Sequence, residues 1–345
     1  MKGQLNTTKV RLPLINRSRL VNGLIKALVL LMLAYVIHRQ IIAREQIEDI
    51  WHIFVQQWRA ADQWLLLAAV VLMPLNWGFE TLKWRCLTRG FVQQSFFRAY
   101  QAVLGGVTLS IFTPNRIGEY GGRILFIPAK DNWKGVVATL VGSFSQLLVL
   151  IGLGVLGLVF FAEQHLMLEG YVLWGVFFMG VCLCTLMLFC FYNIGLVIPL
   201  VKKLPFAKYL GRAARSVAIL RAYDRQVLSQ TLVLALGRYF VYSVQYYLLL
   251  QFFGLELGFG STMVGISTIF LLQTSIPLPP FLGLVVRGSL ALHIWGYYGF
   301  NELAILAATF GLWTLNLILP ALIGTIFIFN TNVIQSLGYH DTTPD

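Results

Sequence analysis

The sequence predicts an all-α polytopic membrane protein with about six full spans, two opposed re-entrant helical hairpins and a possible inverted repeat. Three observations carry this. Of 345 residues, 58% are hydrophobic and 12% charged, where a soluble domain has about a quarter charged, and the mean hydropathy is +0.74. The apolar residues fall into separated runs, of which four are short and come as two adjacent pairs. The basic residues collect between alternate runs, as orientation by the positive-inside rule requires.

A helix crossing about 30 Å of hydrocarbon needs roughly 20 residues. Runs 20–38, 64–82, 135–161, 171–193, 228–253 and 303–329 meet that length, while 99–113, 117–129, 261–277 and 283–298 fall short. Residues 1–19 carry Lys2, Lys9, Arg11, Arg17 and Arg19 without an acid, and read as a basic cytoplasmic N-terminus. The long run after them reads as a retained first span, with Lys26 snorkelling, rather than as a signal peptide. Segment 39–62, with Glu45, Glu48, Asp49 and Asp62, reads as an outside loop, and 83–98, with Lys83, Arg85, Arg89 and Arg98, as inside. Trp77, Trp84, Lys83 and Arg85 read as interface anchors. The helix near Val136 must also start inside, so 99–134 enters and leaves on one side and is read as a re-entrant hairpin. Segment 162–170 is outside, and 201–225, with seven basic residues against Asp224, is the strongest inside signal. The short pair 261–298 then enters and returns from the opposite face.

Each half reads span, span, hairpin, span, with opposite orientation. The expected organisation is one transmembrane domain over 20–330, with repeat-like halves at about 20–161 and 171–329, the basic cytoplasmic loop 201–225 and a C-terminal tail 331–345. In such a repeat the broken helices meet near the midplane, where the site is expected.

The polar residues of the first hairpin lie in "IFTPNRIGEYGGRILFIP", Ile111 to Pro128. This is either a turn at the water surface or a polar site inside the bilayer. Thr113 or Asn115 can cap a helix starting near Arg116, and Pro114 suits its entry. On that helix Arg116, Glu119 and Arg123 share a face, and Gly118, Gly121 and Gly122 let another helix come close. Two positive charges against one negative call for an anion, and a lipid phosphate suits the planar guanidinium fork. In the second hairpin Pro277, Pro279 and Pro280 stop a helix and Gly283 allows a tight turn, which places Arg287 early on a new helix; the plainer reading is that Arg287 snorkels. Arg238 lies about eleven residues into its span, at a depth where a charge faces a cavity or a partner. Glu80, Gln146 and Gln273 read as helix–helix hydrogen-bonding residues.

The net charge of +12 follows from loop orientation and does not point to nucleic acid. Cys86, Cys182, Cys184 and Cys190 read as small apolar helix residues. There is no His/Cys/carboxylate cluster, nucleotide-binding glycine loop or nucleophile elbow, so no catalytic residue, metal or cofactor is expected.

"FTPNRIGEYGGR", following "NWGFETLKWRCL", resembles the P-x-R-x-G-E signature of the lysylphosphatidylglycerol synthase transmembrane (flippase-like) family, which includes proteins once labelled dolichol-phosphate-glucose synthases. Pro114, Arg116, Gly118 and Glu119 match that motif. "PLPPFLGLVVRGSLAL" is similar to the second motif, G-L-G-V-R-E, through Gly283 and Arg287, with Gly288 standing where the family has Glu. The likeness covers about residues 20–330 and leaves no stretch for the soluble aminoacyl-transfer domain of the lipid-modifying members. It implies lipid handling, by translocation between leaflets, without aminoacylation.

The expected function is transport or flipping of an anionic lipid or polyprenyl-phosphate-linked head group in a central polar cavity, in the cytoplasmic (inner) membrane with both termini cytoplasmic. Asn115, Arg116, Glu119, Arg123, Arg238 and Arg287 are the expected binding residues, with Pro114, Gly118, Gly121, Gly122, Pro279, Pro280 and Gly283 shaping the motifs. The expected partners are membrane lipids with anionic head groups. The alternatives are a membrane scaffold of a glycan or lipid pathway and, less well supported with only 14 acidic residues, a lipid-linked glycosyltransferase.

Overall fold

A computed structural model describes residues 17–38, 47–60, 62–113, 116–196, 198–199, 216–274, 280–336 and 338. Pro114, Asn115, Pro277 and Pro279, like most of the basic 201–225 loop, lie outside the described residues. The described chain is all-helical, as hydrocarbon demands of a backbone that must satisfy its own hydrogen bonds.

In chain order the helices are α1 (Arg17–Ile37), α2 (Ile47–Ala60), α3 (Gln63–Thr88), α4 (Phe96–Ser110), α5 (Gly118–Ile124), α6 (Asn132–His165), α7 (Gly170–Tyr192), α8 (Arg225–Phe252), α9 (Phe259–Thr274), α10 (Pro280–Gly296), α11 (Glu302–Trp313) and α12 (Leu319–Phe329). A π-helical turn, Thr314–Ile318, joins α11 to α12 into one long rod. Five segments are long and apolar enough to cross a membrane: Gln63–Thr88, Ala129–His165, Gly170–Tyr192, Arg225–Phe252 and Glu302–Phe329. The expected first span is represented by a shorter apolar stretch, Val21–Tyr35. Its Lys26 ammonium donates to the Phe329 carbonyl at 2.5 Å, so it caps the end of α12.

The expected outside loop 39–62 contains α2, whose Ile47, Ile50, Trp51, Phe54 and Trp58 recur at helical spacing. Phe54 packs on Phe252 at the end of α8, and Trp51 and Trp58 remain exposed. A search for long unbroken apolar runs passes over such a helix, because Glu48, Asp49, His52, Gln56, Gln57 and Arg59 interrupt its apolar residues.

Both short pairs form antiparallel helix pairs. In the first, Ser95 caps α4 by accepting from the Arg98 N–H, and α5 returns along α4 with Gly122 against the backbone of Gly105 and Gly106. In the second, Gly265 of α9 meets Trp295 of α10, and Gln273 meets Arg287. Packing across the chain is reciprocal. The central pair α3 and α8 runs antiparallel, with Gln245 donating to the Ala69 carbonyl near one end and Cys86 near Val227 at the other. The first hairpin packs through α4 on α12, and the second packs through α9 on α6. The ends of the bundle differ in charge: Arg85, Arg89, Arg98, Arg221 and Arg225 share one end, and Asp62, Glu163, Glu169 and Glu302 the other.

Candidate functional site

The structure builds the site around a carboxylate on α3. Pro74 lies inside this helix, and Asn76, Trp77, Glu80, Lys83 and Trp84 follow it, all buried in the bundle. Trp77, Trp84 and Lys83 are therefore not interface anchors. Their spacing places them on the face that α8 and the first hairpin cover.

Glu80 joins three elements. Its Oε1 accepts from Arg123 Nη2 of α5 at 2.7 Å, and its Oε2 pairs with Arg238 Nη1 of α8 at 2.6 Å and with its own neighbour Lys83 at 2.7 Å. Lys83 also reaches Gln146 of α6 at 3.4 Å. Arg123 is 2% exposed, pairs with Glu119 one turn earlier, and stacks over Trp84 at 5.2 Å. Arg238 stacks over Trp77 at 4.8 Å and donates to Asn76, whose amide donates to Asn316 of the π turn at 2.7 Å. A charge buried this deeply persists only when paired and hydrogen-bonded, and Glu80 meets that condition for three cations at once. Sequence reasoning treats Glu80 as a helix-packing residue. The signal that points further is charge balance, since Arg123 and Arg238 fall within apolar runs and need an acid at the same depth.

The first motif is shaped differently from its expected helix. The helix starts at Gly118 rather than near Arg116, with Ile117 and not Thr113 or Asn115 at its N-cap, and Thr113 Oγ1 accepts from the Gly118 N–H at 2.6 Å from the turn before it. Arg116 stands before it with φ of 58°, the one non-glycine residue among those described in the left-handed region. Its guanidinium pairs with Glu119 at 3.4 Å and is 45% exposed. Among the motif glycines, Gly118 and Gly122 sit where a Cβ would collide with backbone, at 2.0 Å from the Leu109 carbonyl and 2.3 Å from that of Gly105. Gly121 has open space beside it and does not serve close packing.

Left-handed backbone costs a non-glycine residue about 1–2 kcal/mol. Arg116→Gly should therefore keep or raise the thermal midpoint in detergent, although it removes the ion pair. Arg116→Ala, which keeps the strain and loses the pair, should lower it. A glycine variant less stable than the alanine variant would contradict the strain argument.

The second motif also differs. Pro280 begins α10, Gly283 lies within that helix with no atom near its missing Cβ, and so Gly283 forms no tight turn. Arg287, in the second turn, does not snorkel. Its Nε donates to Gln273 and its Nη1 to the Tyr242 hydroxyl, each at 2.8 Å, and both partners are neutral. Gly288 faces Leu306 of α11.

These elements enclose a cavity of about 340 Å³. Arg116 from the first hairpin, Arg287, Gln273 and Gly283 from the second, and Arg238 and Asn316 from the long helices all line it. Three guanidiniums converge there, and among the described residues no acidic one lines it. Glu119 and Arg123 lie off the cavity: Glu119 pairs with the lining residue Arg116, and Arg123 is held by Glu80 and Glu119 behind the lining. Arg116 and Arg287, some 170 residues apart in sequence, thus share one chamber.

The family described as "Lysylphosphatidylglycerol synthase TM region" matches over residues 23–324. No curated protein matches the chain.

Proposed function

The chain belongs to the lysylphosphatidylglycerol synthase transmembrane family, and we propose that it binds the anionic head group of a membrane lipid in the three-arginine cavity and carries it between leaflets. The observation behind this reading is the charge of the chamber. Arg116, Arg238 and Arg287 line it with no acid among the described residues, and Arg287 has only neutral partners there. A guanidinium at that depth needs an anion, and a phosphate matches the guanidinium fork.

The two hairpins are re-entrant in this reading, and the halves form an inverted repeat about the α3–α8 crossing. The reciprocal packing of each hairpin on the other half supports it. The comparison of halves also explains why the charge is one-sided. Arg123 of the first hairpin reaches Glu80 of α3, and at the corresponding place Arg287 of the second reaches Tyr242 of α8. One hairpin arginine is neutralised by the protein, and the other is left for the ligand. Glu80 and Glu119 hold Arg238 and Arg116 in place and compete with the phosphate when it leaves. The basic end of the bundle faces the cytoplasm.

The test is a flipping assay in liposomes containing a fluorescent anionic phospholipid, with bleaching of the outer leaflet. Loss of one charge-assisted hydrogen-bond donor should slow transfer about tenfold or more in Arg287→Ala. Parent-like transfer by both Arg287→Ala and Arg116→Ala would refute the site. Binding by the parent without any transfer would favour a scaffold.

A further inference from the structure

A second cavity lies at the basic end of the central helix pair. It is an open groove of about 1120 Å³ between the last turns of α3, residues 92–95, and the first turns of α8. Arg85 and Arg89 are four residues apart, hence on one helical face, and both line it. Among the described residues neither is in an ion pair, and no acidic one lines the cavity. Gln94 and Gln230 add side-chain amides.

The cavity also has an apolar wall, which continues along the bilayer-facing surface. Leu82 and Val233 line it and are both exposed. The antiparallel register set by Asn76 with Arg238 and by Cys86 with Val227 brings Leu82 level with Val233, and Leu75 level with Phe240. Leu75 and Phe240 are exposed too, so an apolar strip runs from the cavity along the α3–α8 seam. Unpaired guanidiniums at the end of a lipid-facing apolar strip complement one molecule type in charge and in shape. We propose that this cavity is a binding site for an anionic glycerophospholipid of the adjoining leaflet, with the phosphate on Arg85 and Arg89 and an acyl chain along the seam. The site is separate from the three-arginine chamber and does not depend on what that chamber carries.

Cys86 lines the cavity, with its thiol 3.4 Å from Gln230 Oε1, and serves as reporter. The full chain carrying Cys182→Ser, Cys184→Ser and Cys190→Ser is placed in nanodiscs, and maleimide labelling of Cys86 is timed. Phosphatidylglycerol in a phosphatidylcholine disc should slow labelling about tenfold relative to phosphatidylcholine alone, the scale of a charge-assisted hydrogen bond. Arg85→Gln/Arg89→Gln should abolish the difference, and Arg287→Ala should keep it. Native mass spectrometry should count one fewer retained phosphatidylglycerol in the double variant. Equal labelling in both discs, protection that survives the double variant, or protection by inorganic phosphate in phosphatidylcholine discs would each overturn the proposal.

Discussion

Replacing Glu80 with glutamine is expected to be the most damaging single change in the molecule. The carboxylate is 3% exposed and holds Lys83, Arg123 and Arg238 within 2.7 Å. Glutamine keeps the shape and one acceptor but cancels the charge. Arg123 then keeps Glu119, while Lys83 retains the side-chain amide of Gln146, and Arg238 that of Asn76 and the Trp77 ring, with no acid on either. Breaking a buried pair in this way typically costs about 3–5 kcal/mol, because a charge is left uncompensated. The expected readout is a thermal midpoint in detergent many degrees below the parent. The double variant Glu80→Gln/Lys83→Met should recover part of the loss, since it removes one orphaned cation together with its acid. A Glu80→Gln protein melting within a degree of the parent would show that the three helices are held by something else.

The second large effect separates two adjacent glycines. At Gly122 a Cβ would lie 2.3 Å from the Gly105 carbonyl oxygen and 2.5 Å from the Gly106 Cα. Both are backbone atoms in a buried helix and cannot rotate away, so Gly122→Ala must push α5 off α4. Overpacking of this kind costs about 1–3 kcal/mol. It also moves Arg123 away from Glu80, so the packing and ionic losses add. Gly121→Ala meets nothing within 4 Å and gains helix propensity of about 1 kcal/mol. The pair should shift the thermal midpoint in opposite directions, and equal shifts would rule out the close α4–α5 contact.

The long helices were legible in the sequence because hydrocarbon enforces a simple code, and runs such as 135–161 and 303–329 lie inside helices of the structure. The four short runs are helices as well, and their pairing into hairpins followed from charge parity at the bundle ends rather than from any local signal. Of the expected binding arginines, Arg238 draws attention by its depth in an apolar run and Arg116, Arg123 and Arg287 by their motifs; Arg116, Arg238 and Arg287 line the cavity and Arg123 does not. What sequence could not supply was direction around a helix axis. Arg123 shares a face with Glu119, yet the approach of α4 to Gly122 turns it toward Glu80 and away from the chamber. Lys83 and Trp84 have interface-anchor composition, and only the docking of α5 and α6 shows that they are interior.

The wide turn at Thr314–Ile318 bears on how one rod serves two neighbours. A π turn holds one residue more than the α-helix it interrupts, which swings everything downstream through about 100°. Within the turn Asn316 faces Asn76 in the chamber, and beyond it Gly324 lies against the Leu104 backbone of α4. In an uninterrupted α-helix these two positions are eight residues apart and lie some 80° apart around the axis; the inserted residue re-phases them. The same irregularity that supplies a polar group to the chamber thereby aims the smallest side chain of the next segment at the first hairpin, so the ligand chamber and the hairpin seat are tuned by a single phase shift in the backbone.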